Sequence, residues 1–272
     1  MNKIPIVFSF DDNYTMPAGV CIMSLLENAL DDTFYDIFIM YSSNRLSAES
    51  KSQILELKNH YKNCEFTFLD LKDTFKDAFE IRNVTIDTYF RLTIPEYIIN
   101  YDRIIYSDVD IIFNGDLFEL YQNGMQNKSI GAVKLNITKG YIRKYIKYIK
   151  LDPDNYFNAG FLLMNLDKMR EENSLKQLAF PLLKKKLIYQ DQDILNITFK
   201  EDVLYIGCEY NYAFRNLLDG LNREKPIVYH YMANKPWKDI CAFSDIWWLY
   251  YKKSIFYSNA YYEKYQINIF RN

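Results

Sequence analysis

The chain has little with which to build a sulfur-based scaffold. It carries four cysteines, Cys21, Cys64, Cys208 and Cys241, scattered without a C-x-x-C pair, and two histidines, His60 and His230. That scarcity argues against a structural zinc site and a disulfide framework, and it predicts reduced thiols in a cytoplasmic setting. Long hydrophobic runs are also missing: no stretch approaches the roughly 20 apolar residues of a membrane span. Asp11 and Asp12 follow the first residues too soon for a signal peptide. Neither sign of charge dominates, since Lys+Arg of 33 against Asp+Glu of 35 leaves a formal net charge of -2. This excludes a global attraction to nucleic acid. No Pro/Gly/Ser-rich linker marks a boundary, and the first change of character is the segment from Asp245 onward.

What is present is a chain of 272 residues, 49% hydrophobic and 17% aromatic, enough to bury a sizeable core in one large domain with an appendage. The 25 tyrosines fit a composition bias as well as a sugar-stacking surface. Compact apolar runs at 4–10 (IPIVFSF), 35–41 (YDIFIMY), 65–69 and 103–106 predict strands. Between them, helical spacing over 18–29 and 47–61 predicts helices. Strands alternating with helices imply a doubly wound α/β architecture with mainly parallel pairing. Further along, 87–99 reads as a helix interrupted by Pro95, and Asp116 as the N-cap of a short helix. Segments 129–133 and 161–164 read as strands, 175–187 as an amphipathic helix and 191–199 as another helix. Segments 203–207 and 226–231 are expected to close the sheet. The basic, aromatic segment 140–150 (GYIRKYIKYIK) is either a solvated amphipathic helix or a mobile flap.

Chemistry concentrates at 101–113, YDRIIYSDVDIIF, where a buried-strand pattern runs into Asp108 and Asp110. Carboxylates at i and i+2 of an extended chain point the same way and can grip one hard cation, typically together with substrate phosphates. The spacing recurs at Asp152/Asp154 and Asp191/Asp193, but only the first triplet follows an apolar strand. Carboxyl ends of strands are where open α/β sheets place their sites. A solvated pair at a strand end is the alternative.

Six segments then occur in order: FSFDDNY (8–14), DTYFRL (87–92), SDVD (107–110), YFNAGFLLMN (156–165), YQDQDILN (189–196) and HYMANKPW (230–237). Together they resemble glycosyltransferase family 8, the retaining sugar-nucleotide transferases that include bacterial lipopolysaccharide galactosyl- and glucosyltransferases. The resemblance covers about residues 4–237. It implies a GT-A fold over 1–244, with 245–272 as a small helical, aromatic and basic tail. It also implies a UDP-hexose donor, a carbohydrate or glycolipid acceptor, and Mn²⁺ or Mg²⁺ as cofactor.

On that resemblance Asp108, Asp110 and His230 are the metal ligands, and an imidazole beside two carboxylates suits Mn²⁺. Ser9, Asp11, Asn13 and Tyr14 are expected around the base and ribose. Arg91 is expected near the donor sugar and diphosphate, and Asn158 and Asp191 on the sugar. Lys235 would hold the diphosphate, although Met232-Ala233-Asn234 stands where many relatives have a glycine and one more residue. Gln192 and Asp191 would lie near the anomeric carbon. An amide is a poor nucleophile, which favours front-face attack over double displacement. The rival readings are a UDP-sugar hydrolase and a non-catalytic nucleotide- or carbohydrate-binding module. In the tail, Trp247, Trp248, Tyr250, Tyr251, Lys252, Lys253, Phe256 and Tyr257 suit either peripheral contact with the inner face of the membrane or packing back onto the domain.

Overall fold

The computed structural model describes residues 2–80, 86–220 and 225–269. Strand β1 (Asn2–Ser9) opens the chain, with Pro5 ahead of Ile6 and Val7, the residues that β4 pairs, so its missing N–H falls outside that ladder. Helix α1 (Thr15–Glu27) follows, then β2 (Thr33–Tyr41). The helix expected over 47–61 is two pieces, α2 (Ala48–Leu55), capped by the Ser47 hydroxyl, and α3 (Leu57–His60), before β3 (Cys64–Asp70). Residues expected as one helix over 87–99 form a 3-10 segment, Ile86–Thr93, and a single turn α4 (Ile94–Tyr97) that places Pro95 near its start, where no N–H is needed.

Strands β4 (Arg103–Ser107) and β5 (Ile111–Phe113) flank the first acidic triplet. Then come α5 (Phe118–Gln122), β6 (Ile130–Lys134), α6 (Gly140–Tyr148), β7 (Phe157–Asn165) and α7 (Leu166–Glu171). Asp116 does cap α5, accepting the Phe118 N–H at 2.6 Å, from one residue before the N-cap position. The helix expected over 175–187 is not continuous. It is a π turn at Leu175–Ala179 and a 3-10 turn at Phe180–Leu182, because Pro181 removes a donor and its ring clashes with the carbonyl four residues back. The chain continues through α8 (Gln190–Phe199), β8 (Val203–Tyr205), α9 (Phe214–Leu218), β9 (Val228–His230), α10 (Ser244–Lys253) and α11 (Asn259–Ile269).

The main sheet has the order β3-β2-β1-β4-β7-β6-β8. β1 pairs in parallel with β2 and β4, β2 with β3, and β6 with β8, whereas β7 runs antiparallel to both β4 and β6. The doubly wound, mainly parallel α/β reading therefore holds, with one reversed strand at the centre. That reversal positions the site: Ser107 pairs with Phe161, so the start of β7 lies beside the carboxyl end of β4. The expectation that 226–231 closes the sheet needs correction. β9 pairs with β5 in a separate antiparallel ribbon, Ile111 opposite His230, because the chain after Asp110 has already left the main sheet.

Each face of the sheet carries its own apolar layer. Ile4, Ile6, Phe8 and Ile105 pack with α1 on one side, and Val7, Ile104 and Tyr106 with α8 on the other, as strand alternation requires. Trp247, Trp248, Tyr250 and Tyr251 of α10 are buried in the same layer as α1, with Trp247 stacked on Tyr251 at 5.3 Å between ring centroids. Their aromatic surface faces protein. Residues 270–272 of the expected tail lie outside the described residues.

Candidate active site

Asp108 and Asp110 sit in the short link between β4 and β5, and His230 ends β9. One ligand atom from each lies within 4.8 Å of the others. Two ladders fix this: the Asp108 N–H donates to Gly160 O at 2.7 Å, and Tyr231 N–H to Asp110 O at 2.9 Å. Each carboxylate spends one oxygen on a protein cation and turns the other inward. Asp108 Oδ1 accepts from Arg91 at 2.9 Å and from the Tyr106 hydroxyl at 2.7 Å, leaving Oδ2 toward His230 Nε2 at 4.0 Å. Asp110 Oδ2 accepts from Lys235, leaving Oδ1 at 3.3 Å from His230 Nε2. Burial alone would raise the Asp110 pKa, but the Lys235 ammonium and the His230 ring hold the carboxyl well below the usual range.

Two carboxylate oxygens and an imidazole nitrogen converging on one point are a donor set for a divalent transition ion. The backbone makes room for them. A Cβ on Gly160 would stand 2.3 Å from His230 Cε1 and 2.6 Å from Asp108 Oδ2, so these two groups meet over a glycine that no other residue could replace without displacing them. The residues present therefore fit a bound cation.

Beneath the cluster lies Arg91, 3% exposed. Its guanidinium donates to Asp108, to Thr88 O at 2.8 Å and to Ala159 O, and its Nε is 3.1 Å from Asp191 Oδ2. It also lies over the Tyr106 ring at 4.1 Å. Expected beside the donor, Arg91 here directs its planar fork at protein groups and sets the position of two carboxylates. Asp191 is pushed up to about 6 by burial, which the Arg91 charge only partly offsets.

Asn158 and Gln192 form an interlocked pair. Asn158 donates to Gln192 Oε1 at 3.0 Å and its Oδ1 accepts the Gly160 N–H at 2.9 Å. Gln192 Oε1 also accepts the Ala159 N–H at 3.1 Å, while its amide nitrogen donates to Tyr156 Oη at 3.2 Å. Asp193 is fully buried and points away from Asp191, accepting from Tyr145 Oη at 2.5 Å, Tyr156 Oη at 2.6 Å and the Tyr189 N–H at 2.9 Å.

The loop after β1 lies at the same end of the sheet. The Ser9 hydroxyl donates to Asp87 O at 3.0 Å, and Asp11 caps the turn at Asp12–Tyr14 by accepting the Asn13 N–H at 3.0 Å. Tyr14 is half-buried, edge-on to Trp237 at 6.1 Å, with the Lys238 ammonium 5.6 Å from its ring centroid. Lys235 donates to Tyr231 O at 2.7 Å besides Asp110. All of the expected residues except the Ser9–Tyr14 loop thus join one hydrogen-bonded assembly around Asp108, and Lys235 links that assembly toward Tyr14 through the Trp237 turn.

Three participants were not singled out from the sequence. Arg45 bridges Asp11 and Asp87, both at 2.9 Å, and so ties the first-strand loop to the DTYFRL segment. Asn211 presents its Oδ1 to His230 Nδ1 at 2.7 Å. Gly160 clears the space above. Only Gly160 had a local signal, as the glycine of FNAG in a run of strand residues; Arg45 and Asn211 stand in ordinary polar surroundings.

Comparison with known proteins agrees with this geometry. The profile described as Glycosyl transferase family 8 matches residues 5–241. A Haemophilus influenzae protein carried under a provisional glycosyltransferase name is 33% identical over 248 residues, spanning 87% of this chain and 74% of that protein. The lipopolysaccharide 1,3-galactosyltransferase of Salmonella typhimurium is 27% identical, spanning 87% of this chain and 73% of its own length. The structure of the galactosyltransferase LgtC in complex with donor and acceptor sugar analogs superposes with a TM-score of 0.80 at 25% identity, over 96% of this chain and all of that one. The bifunctional WbbM glycosyltransferase, of whose length this chain spans half, gives 0.80 at 28% identity over 93% of this chain. A match running through every element that builds the cluster, on a shared GT-A fold, places the chain in glycosyl transferase family 8.

Proposed function

We propose that this glycosyltransferase moves a hexose, galactose or glucose, from a UDP-sugar to an acceptor hydroxyl with retention at the anomeric carbon, in a metal-dependent reaction that builds a cell-surface glycan or lipopolysaccharide. The observation that carries the reading is the convergence of Asp108 Oδ2, Asp110 Oδ1 and His230 Nε2 at the carboxyl end of β4, where parallel sheets present their ligands. The names of the curated relatives, among them the Salmonella galactosyltransferase and the Escherichia coli lipopolysaccharide glucosyltransferase WaaO, support the substrate class.

In this reading Asp108, Asp110 and His230 hold Mn²⁺ or Mg²⁺, which when bound supplies Lewis-acid stabilisation of the departing diphosphate. Lys235, whose ammonium is kept charged against its burial by Asp110, adds a positive point charge on the same side. Tyr14, with Ser9, Asp11 and Asn13, receives the uridine. Arg91 holds Asp108 and Asp191 side by side and in register, and Asn158, Asp191 and Gln192 line the sugar subsite. Both polar atoms of the Gln192 amide are held by protein partners, which supports a front-face path over a covalent adduct at that residue. Residues 1–244 act as the transferase unit and 245–272 as its C-terminal appendage, of which α10 packs on that unit. Among the described residues no helix is long and apolar enough to cross a membrane; the proposed setting is the cytoplasm, with glycolipid acceptors met at the membrane's inner face.

The test is a screen of UDP-galactose, UDP-glucose and other UDP-sugars with Mn²⁺ or with chelator, with and without glycan acceptors, and NMR of the product's anomeric configuration. Metal-dependent, acceptor-stimulated transfer with retention is expected. UDP release that ignores every acceptor would instead make water the acceptor, and binding without turnover would make the chain a nucleotide-sugar binder.

A further inference from the structure

A continuous hydrogen-bond chain runs from the cation cluster into the protein: His230 Nδ1 to Asn211 Oδ1 at 2.7 Å, Asn211 Nδ2 to Asn158 Oδ1 at 2.7 Å, and Asn158 Nδ2 to Gln192 Oε1 at 3.0 Å. From there Gln192 Nε2 meets Tyr156 Oη at 3.2 Å, and Tyr156 Oη meets Asp193 Oδ1 at 2.6 Å. Backbone groups, which cannot reverse, set its direction. The Gly160 N–H requires an oxygen at Asn158 Oδ1, and the Ala159 N–H requires one at Gln192 Oε1. At the far end Asp193 as carboxylate can only accept.

The consequence passes along the chain atom by atom. Since Asn158 presents an oxygen to Asn211, Asn211 must present its NH₂ there, and its oxygen therefore faces His230. An oxygen facing Nδ1 accepts, so Nδ1 carries a proton, and in the neutral ring the lone pair is left on Nε2, the nitrogen 3.3 Å from Asp110 Oδ1. Asn211 is itself held in place. It is 2% exposed, follows the 3-10 turn Cys208–Tyr210, and its neighbour Tyr212 both donates to Val228 O at 2.8 Å and accepts the His230 N–H at 2.9 Å.

We propose that Asn211 is a positioning residue that locks His230 in the Nδ1-protonated tautomer, so that Nε2 is already available to a divalent cation before the cation arrives. The inference rests on the reading of His230 as a ligand. A ligating imidazole whose other nitrogen donates to a fixed acceptor is oriented and made more basic, and losing such a partner typically weakens metal binding about 10- to 100-fold.

The chain has two histidines, so imidazole ¹⁵N NMR resolves His230 directly once His60→Gln identifies the other signal. At alkaline pH without metal, the wild type should show the Nδ1–H tautomer at His230. Asn211→Leu should show a mixture, and its Mn²⁺ dissociation constant, read from the EPR signal of free Mn²⁺, should rise about 10- to 100-fold. Asn211→Asp keeps an acceptor for Nδ1–H while setting oxygen against Asn158 Oδ1; it should retain the tautomer and bind Mn²⁺ more tightly than Asn211→Leu. An Nε2–H tautomer in the wild type overturns the proposal, as does an Asn211→Leu variant with unchanged Mn²⁺ affinity. Should the wild type take up no Mn²⁺, the metal reading fails by itself, and the tautomer measurement still decides the role of Asn211.

Discussion

The triplets Asp108/Asp110 and Asp191/Asp193 have the same spacing and opposite geometry. Along the short link between β4 and β5, which bends at Val109 and Asp110, both carboxylates face one point with His230. At the start of α8 the same i, i+2 spacing advances about 200° around the helix, so Asp191 turns to Arg91 and Asp193 to the tyrosines of α6 and the segment before β7. A third copy, Asp152/Asp154, lies on an exposed turn, where Asp154 pairs with Arg143 at 2.7 Å. Spacing states how far apart two acids are; the backbone under them states whether they can share a ligand.

Four measurements would break or sharpen that contrast. Asp108→Ala should lower metal-dependent transfer roughly a thousandfold or more, equivalent to several kcal/mol of transition-state stabilisation. Near-normal UDP release by this variant would remove the strand-end triplet from the chemistry. The second concerns Asp191. Its folded pKa of about 6 lies above the ordinary 3.8, so the fold favours the neutral acid. Its contribution to stability is complete below about pH 4 and is lost as pH rises through about 6, on the order of 3 kcal/mol in all. Urea titrations with chelator should therefore show wild type losing stability relative to Asp191→Asn across that window; parallel curves would contradict the environment assigned to Asp191.

Asp193→Asn comes next. Burial raises the Asp193 pKa while two tyrosine hydroxyls and a backbone N–H oppose that rise. Replacing one acceptor oxygen by NH₂ leaves a buried hydroxyl facing a donor, and about 1–3 kcal/mol should be lost in a denaturant midpoint. An unchanged midpoint would mean the α6 tether is slack. Asp154→Ala is the smallest case, with melting temperature and turnover expected to match wild type, because an exposed ion pair contributes little. A measurable loss there would erase the distinction between the exposed triplet and the two that meet partners inside the fold.

The strands were largely readable because buried strands are written as local apolar runs, and β1, β2, β3 and β4 fall where those runs are. Direction was not, since an antiparallel strand such as β7 has the same pattern as a parallel one. Pro181 would have warned against a helix over 175–187, but the apolar periodicity around it is genuine and is satisfied by shorter turns. The tail's aromatics looked equally suited to lipid or protein. Their partners settled the packing of α10: Asn28 donates to Tyr250 Oη at 2.7 Å, and Trp247 lies against Trp237 at 5.3 Å. Within the site, the ligand types were visible as residues, whereas Arg45 and Asn211 act through partners distant in the chain.

What the sequence determined by itself is local: the apolar strand that ends at Asp108 and Asp110, and the glycine of FNAG that leaves space beside them; the extended alternation expected across the two acids gives way to a bend at Val109 and Asp110. Tertiary structure decided what is non-local. The β5–β9 ribbon brings His230 to the acids, the reversed β7 brings Gly160 and Asn158, and the loop before β9 brings Asn211 to the ring. The reason is that side-chain facing depends on neighbouring dihedrals, while convergence on one point requires backbone ladders between segments far apart, whose partners no short window of sequence contains.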